Sequence, residues 1–218
     1  MDNEQEKKEM PDEEIIDKKT EKKQNKSFFI AIVVIISALV ILFSLRILLG
    51  EEKYPEYTYN GFTFVKIAGL WNTDWQRDDI IYKIHLRFGP KEAEVVPLLV
   101  SEEFDFNTSR TTYITFDPLG EDFAHVAIAS TELSLTLYRV FDTKVIAACL
   151  RNETSACSSR PIITCDNTLE KETAVIYVKE DDETAIILDG NCLIIQGRGE
   201  EIIKAADKLI YGLYGIIE

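Results

Sequence analysis

The sequence predicts an α+β protein: one N-terminal transmembrane helix, then a disulfide-stapled domain in which two amphipathic helices pack on a mixed or antiparallel β-sheet. Phe28 to Leu45 form an uncharged apolar run of the length a helix needs to cross a bilayer core. Beyond it, short segments with apolar side chains at every second position alternate with turn residues, as half-buried strands do. Two longer segments repeat apolar residues every three or four positions, the pattern of a helix with one buried face.

Residues 1–27 carry nine acids and seven lysines and have no aromatic residue. Such a stretch cannot bury enough apolar surface to offset its ordering entropy, so it is expected to be a disordered cytoplasmic tail. Lys18, Lys19, Lys22, Lys23 and Lys26 precede the apolar run, and Glu51 and Glu52 follow it; the lysine-rich flank belongs on the cytoplasmic side. A long n-region and the lack of a small-x-small site in ILLGEEKYP favour an uncleaved signal anchor over 28–49 rather than a removed signal peptide. Arg46, one turn from the far end, is placed to reach the headgroups. Gly50 and Pro55 stop the helix, residues 50–56 read as a short linker, and 57–218 form the extracytoplasmic domain.

From Glu51 onward 29 acids face 16 lysines and arginines, which supplies nearly all of the chain's net charge of −14. That acidic surface excludes nucleic acid as a partner, since such binding needs a basic footprint. The partners expected are the bilayer, through 28–49, and an envelope protein or further copies of the chain.

The elements of the exported domain follow in order. YTYNGFTF, Tyr57 to Phe64, sets Asn60-Gly61 between alternating aromatics, the strongest short-range hairpin signal. GLWNTDWQRDD is polar apart from Trp71 and Trp75, which would point the same way if extended. They are read as core-capping residues, or as an aromatic contact surface, since Trp is enriched at interfaces. IIYKIHLRF, Ile80 to Phe88, alternates strictly and leaves His85 on the polar face, with Gly89-Pro90 ending it. EVVPLLV, with Pro97 suiting an edge or a strand start, and TTYITF read as strands. Asp122 to Arg139 reads as an amphipathic helix. KVIAACL, PIIT, TAVIYV, TAIIL and CLIIQ supply further strands, and Glu200 to Ile217 a closing helix with Ile202, Ala206, Leu209, Ile210, Leu213 and Ile217 buried.

YITFDPLGEDFAHVA resembles CLIIQGRGEEIIKAA at an offset of 79 residues, with VVPLLVSEE over AVIYVKEDD upstream. This suggests a duplicated strand-strand-helix unit, against the simpler account that any strand before an amphipathic helix looks this way.

All four cysteines, Cys149, Cys157, Cys165 and Cys192, fall in the exported part. An even number in an oxidising compartment reads as two disulfides. Three pairings are possible; the expected one closes a small loop between Cys149 and Cys157 and ties two strand ends together through Cys165 and Cys192. The spacings match no metal-binding pair and neither histidine is near them, so no metal or cofactor is expected. Asn107-Thr108-Ser109 and Asn152-Glu153-Thr154 are glycosylation sequons on the translocated side.

Catalytic signals are weak. GRG at Gly197–Gly199 is a poor phosphate turn, because Glu200 and Glu201 follow at once and would repel the anion. His125, near Glu121 and Asp122, is the better placed of two histidines for base catalysis but no nucleophile motif accompanies it. ITCDNT with DGNCLIIQGRGEEIIKAADKLIYGLYGI, the YNGFTF hairpin, the RFGPKEAEVVP region and the cysteine pattern resemble uncharacterised single-span exported proteins of small-genome archaea. The resemblance covers most of the exported domain, excludes the tail, and carries no activity or site with it. The reading that results is a non-enzymatic, membrane-anchored binding or assembly domain at the cell envelope. The alternatives are a pilin-like filament subunit, whose helix would run on past Gly50 into the domain, and a hydrolase using His125.

Overall fold

The computed structural model describes residues 13–48, 54–101, 111–167 and 173–218. The chain divides into two compact units, 1–53 and 54–218. The first is built on one helix, α1 (Glu13–Leu48), and contains the uncharged stretch Phe28–Leu45, with a mean hydropathy of 3.2, long and apolar enough to cross a membrane. The helix begins well ahead of that stretch, so residues 13–27 are helical where the sequence suggested disorder. Once the apolar run forms a helix, extending it through glutamates and lysines requires no new nucleus, and both residues are good helix formers. Residues 1–12 and 49–53, hence most of the expected linker, lie outside the described residues, as does Asn107.

The second unit opens with a four-stranded antiparallel meander, β1 (Glu56–Tyr59), β2 (Phe62–Ile67), β3 (Leu70–Arg77) and β4 (Ile80–Leu86). Two-residue turns join its strands. Asn60-Gly61 and Ala68-Gly69 hold positive φ at both positions, which matches the twist of the hairpin, and Asp78 holds it at the first position of the third turn. Then come a short helix α2 (Pro90–Ala93), β5 (Leu98–Val100), β6 (Thr111–Phe116), α3 (Phe123–Phe141), β7 (Val145–Cys149), β8 (Thr173–Glu180), β9 (Ala185–Asp189), β10 (Cys192–Gly197) and α4 (Glu200–Leu213). Strands β5 to β10 form a mixed sheet in the order β5-β9-β10-β8-β6-β7, in which β10, β8, β6 and β7 run parallel.

The α+β class, the two helices and the hairpin are therefore as expected, but the strands make two sheets where one was expected. The division follows from the meander's aromatic inner face. Phe64 meets Tyr211 of α4 edge-on at 5.7 Å, and Trp75 meets Tyr214 at 4.9 Å, while α3 and α4 also contact the mixed sheet. Covered from both sides, α4 buries Ile202, Ile203, Ala205, Ala206, Asp207, Ile210 and Tyr211, more of its circumference than a single apolar stripe. Burying an acid in that set has consequences described below.

Three segments depart from the sequence reading. Strand β3 occupies the stretch read only as polar. EVVPLLV is a strand only after Pro97, its start following the short helix that Gly89-Pro90 initiates. PIIT contributes an isolated bridge from Ile162 to Cys149 rather than a strand. The 79-residue similarity is matched by strand and helix, β6 with α3 and β10 with α4, but not by the upstream strands. β8 adjoins β10, whereas β5 lies four places from β6.

The helix starts are held by carboxylates of the chain itself. Glu180, ending β8, accepts hydrogen bonds from the N–H groups of Glu121 and Asp122, each 2.9 Å, and Asp122 accepts one from Gly199 N–H at 2.9 Å. These fill the places where a helix N-terminus would receive an anion, which agrees with reading GRG as a turn. A Cβ at Gly120 would fall on the Glu180 carboxylate. Gly120→Ala is therefore expected to displace it and to lower the unfolding free energy by about 1–2 kcal/mol, the scale of one or two net hydrogen bonds, since the Glu121 donor is exposed and the Asp122 donor half-buried. Denaturant unfolding of the full chain in detergent measures this, and a midpoint equal to wild type would refute the role given to Glu180.

Candidate functional site

The meander ends in an unpaired strand. Among the described residues β4 pairs only with β3, in the register Arg77↔Ile80 through Trp71↔Leu86. The two-residue turn makes Arg77 and Ile80 the first hydrogen-bonded pair, and such pairs then alternate along the ladder. Tyr82, Ile84 and Leu86 thus bond to β3, while Ile81, Lys83 and His85 direct their backbone N–H and C=O groups to the open edge. The same alternation turns Ile84 and Leu86 into the core.

Helix α3 runs beside that edge. Glu132, Leu135, Thr136, Arg139 and Val140, spaced three and four apart on one helical face, form the facing wall of a groove of about 460 Å³ that also takes in residues Ile81–Leu86 and Tyr214. Tyr214 is fixed at its base: its carbonyl accepts a hydrogen bond from Trp75 Nε1 at 2.8 Å, and its ring lies 6.2 Å from that of Phe141. Arg77 Nη1 donates to the Val140 carbonyl at 2.8 Å, satisfying the C-terminal end of α3 and holding the wall to the meander. Ile81 is 61% exposed and Leu135 43% exposed, so both walls offer apolar surface to an occupant.

The groove is cationic on a strongly acidic chain. Lys83, His85 and Arg139 line it, and the one acid among its lining residues, Glu132, has Arg87 Nε at 3.5 Å. The imidazole is oriented by its neighbour: Asn72 Nδ2 donates to the carbonyls of Val65 and Leu70, at 3.3 and 2.7 Å, leaving Asn72 Oδ1 as acceptor for His85 Nδ1–H. Nε2 is then left as the acceptor nitrogen of the ring.

Behind Glu132 lies Asp207 of α4, fully buried. Its Oδ2 accepts the N–H groups of Arg87 and Phe88 at 3.1 and 2.8 Å, and Tyr211 hydroxyl donates to the Phe88 carbonyl at 2.9 Å, so α4 grips the chain just past β4 on both sides of one residue, Phe88. Burial pushes the Glu132 carboxyl up and the Asp207 carboxyl up much further, the second raised also by the negative charge of the first. Neither residue stood out in the sequence. They are far apart in the chain on different helices, and only the packing of α3 on α4 joins them.

The residues singled out by sequence lie elsewhere. Trp71 is 8% exposed, donates from Nε1 to Glu92 Oε2 at 2.8 Å and abuts Tyr57 edge-on; Trp75 is half-buried against Tyr82 and Tyr214. Trp71 belongs to the buried core and Trp75 packs against it. The disulfides are Cys149–Cys157 and Cys165–Cys192, as expected, with Cα–Cα distances of 6.0 and 5.4 Å. Asn152 is exposed on the loop closed by the first. His125, at the start of α3, has Asp122 Oδ1 3.8 Å from its Nδ1 and lines neither this groove nor a second one on the outer face of the meander. No group of three or more potential metal ligands occurs among the described residues. Compared with protein-family models, curated proteins and solved structures, the chain gives no match in any of the three.

Proposed function

We propose that the chain is a single-pass membrane protein, N-terminus cytoplasmic, whose exported domain binds another envelope protein by accepting an extended, acidic segment of it as a fifth strand on β4. The observation that carries this reading is the open edge of β4 facing a helix across a groove. That arrangement lets main-chain hydrogen bonds supply affinity while the helix wall selects side chains. The uncharged stretch Phe28–Leu45, the lysines before it and two disulfides beyond it support the topology.

Charge argues for the chemistry of the partner. Ile80 to Phe88 contains Lys83, His85 and Arg87 and no acid. Pairing with a second β4 would set like charges across the new ladder, which is unfavourable. An acidic strand reverses that sign, and ionic screening over about 8 Å limits the repulsion it feels from the rest of the domain. Anchoring in a plane raises the effective concentration of partners, so a modest interface suffices.

Lys83→Pro tests the reading. The lost N–H faces the open edge and not the ladder with β3, so the fold should persist while strand addition fails. A photo-crosslinker at Ile81 of the full-length protein in native membranes should capture a defined partner, and Lys83→Pro should cut capture at least tenfold, on the order of 1.4 kcal/mol. Capture of the chain by itself would replace the proposal with self-assembly, and equal capture by the proline variant would sink strand addition.

A further inference from the structure

We propose that Glu132 and Asp207 share a single proton, so that a carboxyl–carboxylate hydrogen bond clasps α3 to α4 behind the groove. The inference stands independently of what the groove binds. The two carboxyl groups lie within hydrogen-bonding reach of each other. Asp207 Oδ1 and Glu132 Oε2 are both buried with no donor from any other group, although their sister oxygens are served, Oδ2 by two backbone N–H groups and Oε1 by Arg87. Two carboxylates cannot hydrogen bond to each other, and two unserved, buried, facing acceptors are strongly unfavourable. One proton on Asp207 Oδ1, donated to Glu132 Oε2, satisfies both atoms at once. It leaves one negative charge, on Glu132, beside the guanidinium of Arg87.

The surroundings favour keeping that proton. Arg87, from the segment after β4, is the cation facing the pair, and Tyr211, one turn further along α4, is pushed upward by burial foremost and by the charge of Asp207. Lys204, one turn earlier, directs its ammonium to Glu201 Oε1 at 2.6 Å and over the Phe88 ring at 5.4 Å. The direction found for both carboxyls, upward, agrees with a retained proton. Losing it would place a second negative charge between the helices and press the α3 wall away from α4, making the clasp sensitive to alkalinity.

Infrared spectroscopy of the full-length protein in detergent reads the proton directly. Wild type should show the carbonyl stretch of a protonated, buried carboxyl group at neutral pH, fading on alkaline titration. Asp207→Asn, whose amide keeps the same hydrogen bonds, should lack that band. Glu132→Gln removes the charge that raises Asp207 and supplies a donor in its place, so the band should fade at lower pH. Absence of the band from neutral wild type, its persistence in Asp207→Asn, or an unchanged titration midpoint in Glu132→Gln would each overturn the shared proton.

Discussion

Replacing Cys165 and Cys192 by alanine is expected to lower the unfolding free energy by about 3.5 kcal/mol, and replacing Cys149 and Cys157 by about 2.5 kcal/mol, from the loop-closure entropy each bond removes from the unfolded chain. The sequence separations of 27 and eight residues set that order. Alanine is the informative substitute. Cys149 and Cys157 are buried, and serine hydroxyls there would add a desolvation penalty of about 1–3 kcal/mol and could invert the ranking. The longer bridge also has the more central seat. Cys192 opens β10, which lies between β9 and β8, and the bond fastens the turn at Cys165–Asn167 to that strand. Together the two losses approach the whole stability of an ordinary domain, about 5–15 kcal/mol, so a reductant alone should bring the second unit close to unfolding. Equal losses from the two double variants, measured by denaturant unfolding, would show that loop closure does not set the order.

What could be read from the sequence was local, and what could not was pairing over distance. Asn60-Gly61 announced its hairpin because positive φ at both turn positions is a property of those two residues alone. Strand β6 matched TTYITF end to end, since its alternation and its flanks coincide. Strand β3 was passed over although it alternates as regularly. Its inward residues are Trp71, Thr73 and Trp75, and a buried threonine among Asn72, Asp74 and Gln76 weakens the apolar signal without changing the geometry. The division into two sheets depends on which strands meet, and no single segment encodes that.

The groove shows the same limit. Its strand was visible as Ile80 to Phe88 and its helix as Asp122 to Arg139, yet that one would lie along the other's open edge was not. The buried helical face is Val126, Ala129, Leu133, Thr136, Leu137 and Val140, a set that takes in a threonine and leaves out Phe123 at the helix start. Helix α3 is covered by the mixed sheet and by α4. Burial on two sides recruits Thr136 and leaves Phe123 46% exposed.

Asp207→Ala is expected to be among the most damaging single substitutions in the domain, lowering stability by roughly 3–5 kcal/mol, as breaking a buried pair from one side does. The N–H groups of Arg87 and Phe88 would lose their acceptor and Glu132 its donor, all at the junction that holds the end of β4 to α4. Asp207→Asn should lose only about 1 kcal/mol or less, because its carbonyl serves both N–H groups and its amide serves Glu132. The pH dependence has a definite sign. An unfolded aspartate releases its proton near pH 4, while burial, foremost, and the charge of Glu132 hold the folded group well above that. The pair's contribution is therefore full below about pH 4 and is lost as pH rises through the folded pair's own range, where the folded state still binds the proton the unfolded state has released. Wild type should accordingly weaken relative to Asp207→Asn as pH rises from about 4 toward the folded group's own range, and denaturant midpoints across that rise would record the variant closing on wild type and then overtaking it. A difference that stayed constant, or one that moved in favour of wild type as pH rises, would mean that Asp207 enters the folded state already ionised, and the strong loss in Asp207→Ala would then reflect only its two backbone donors.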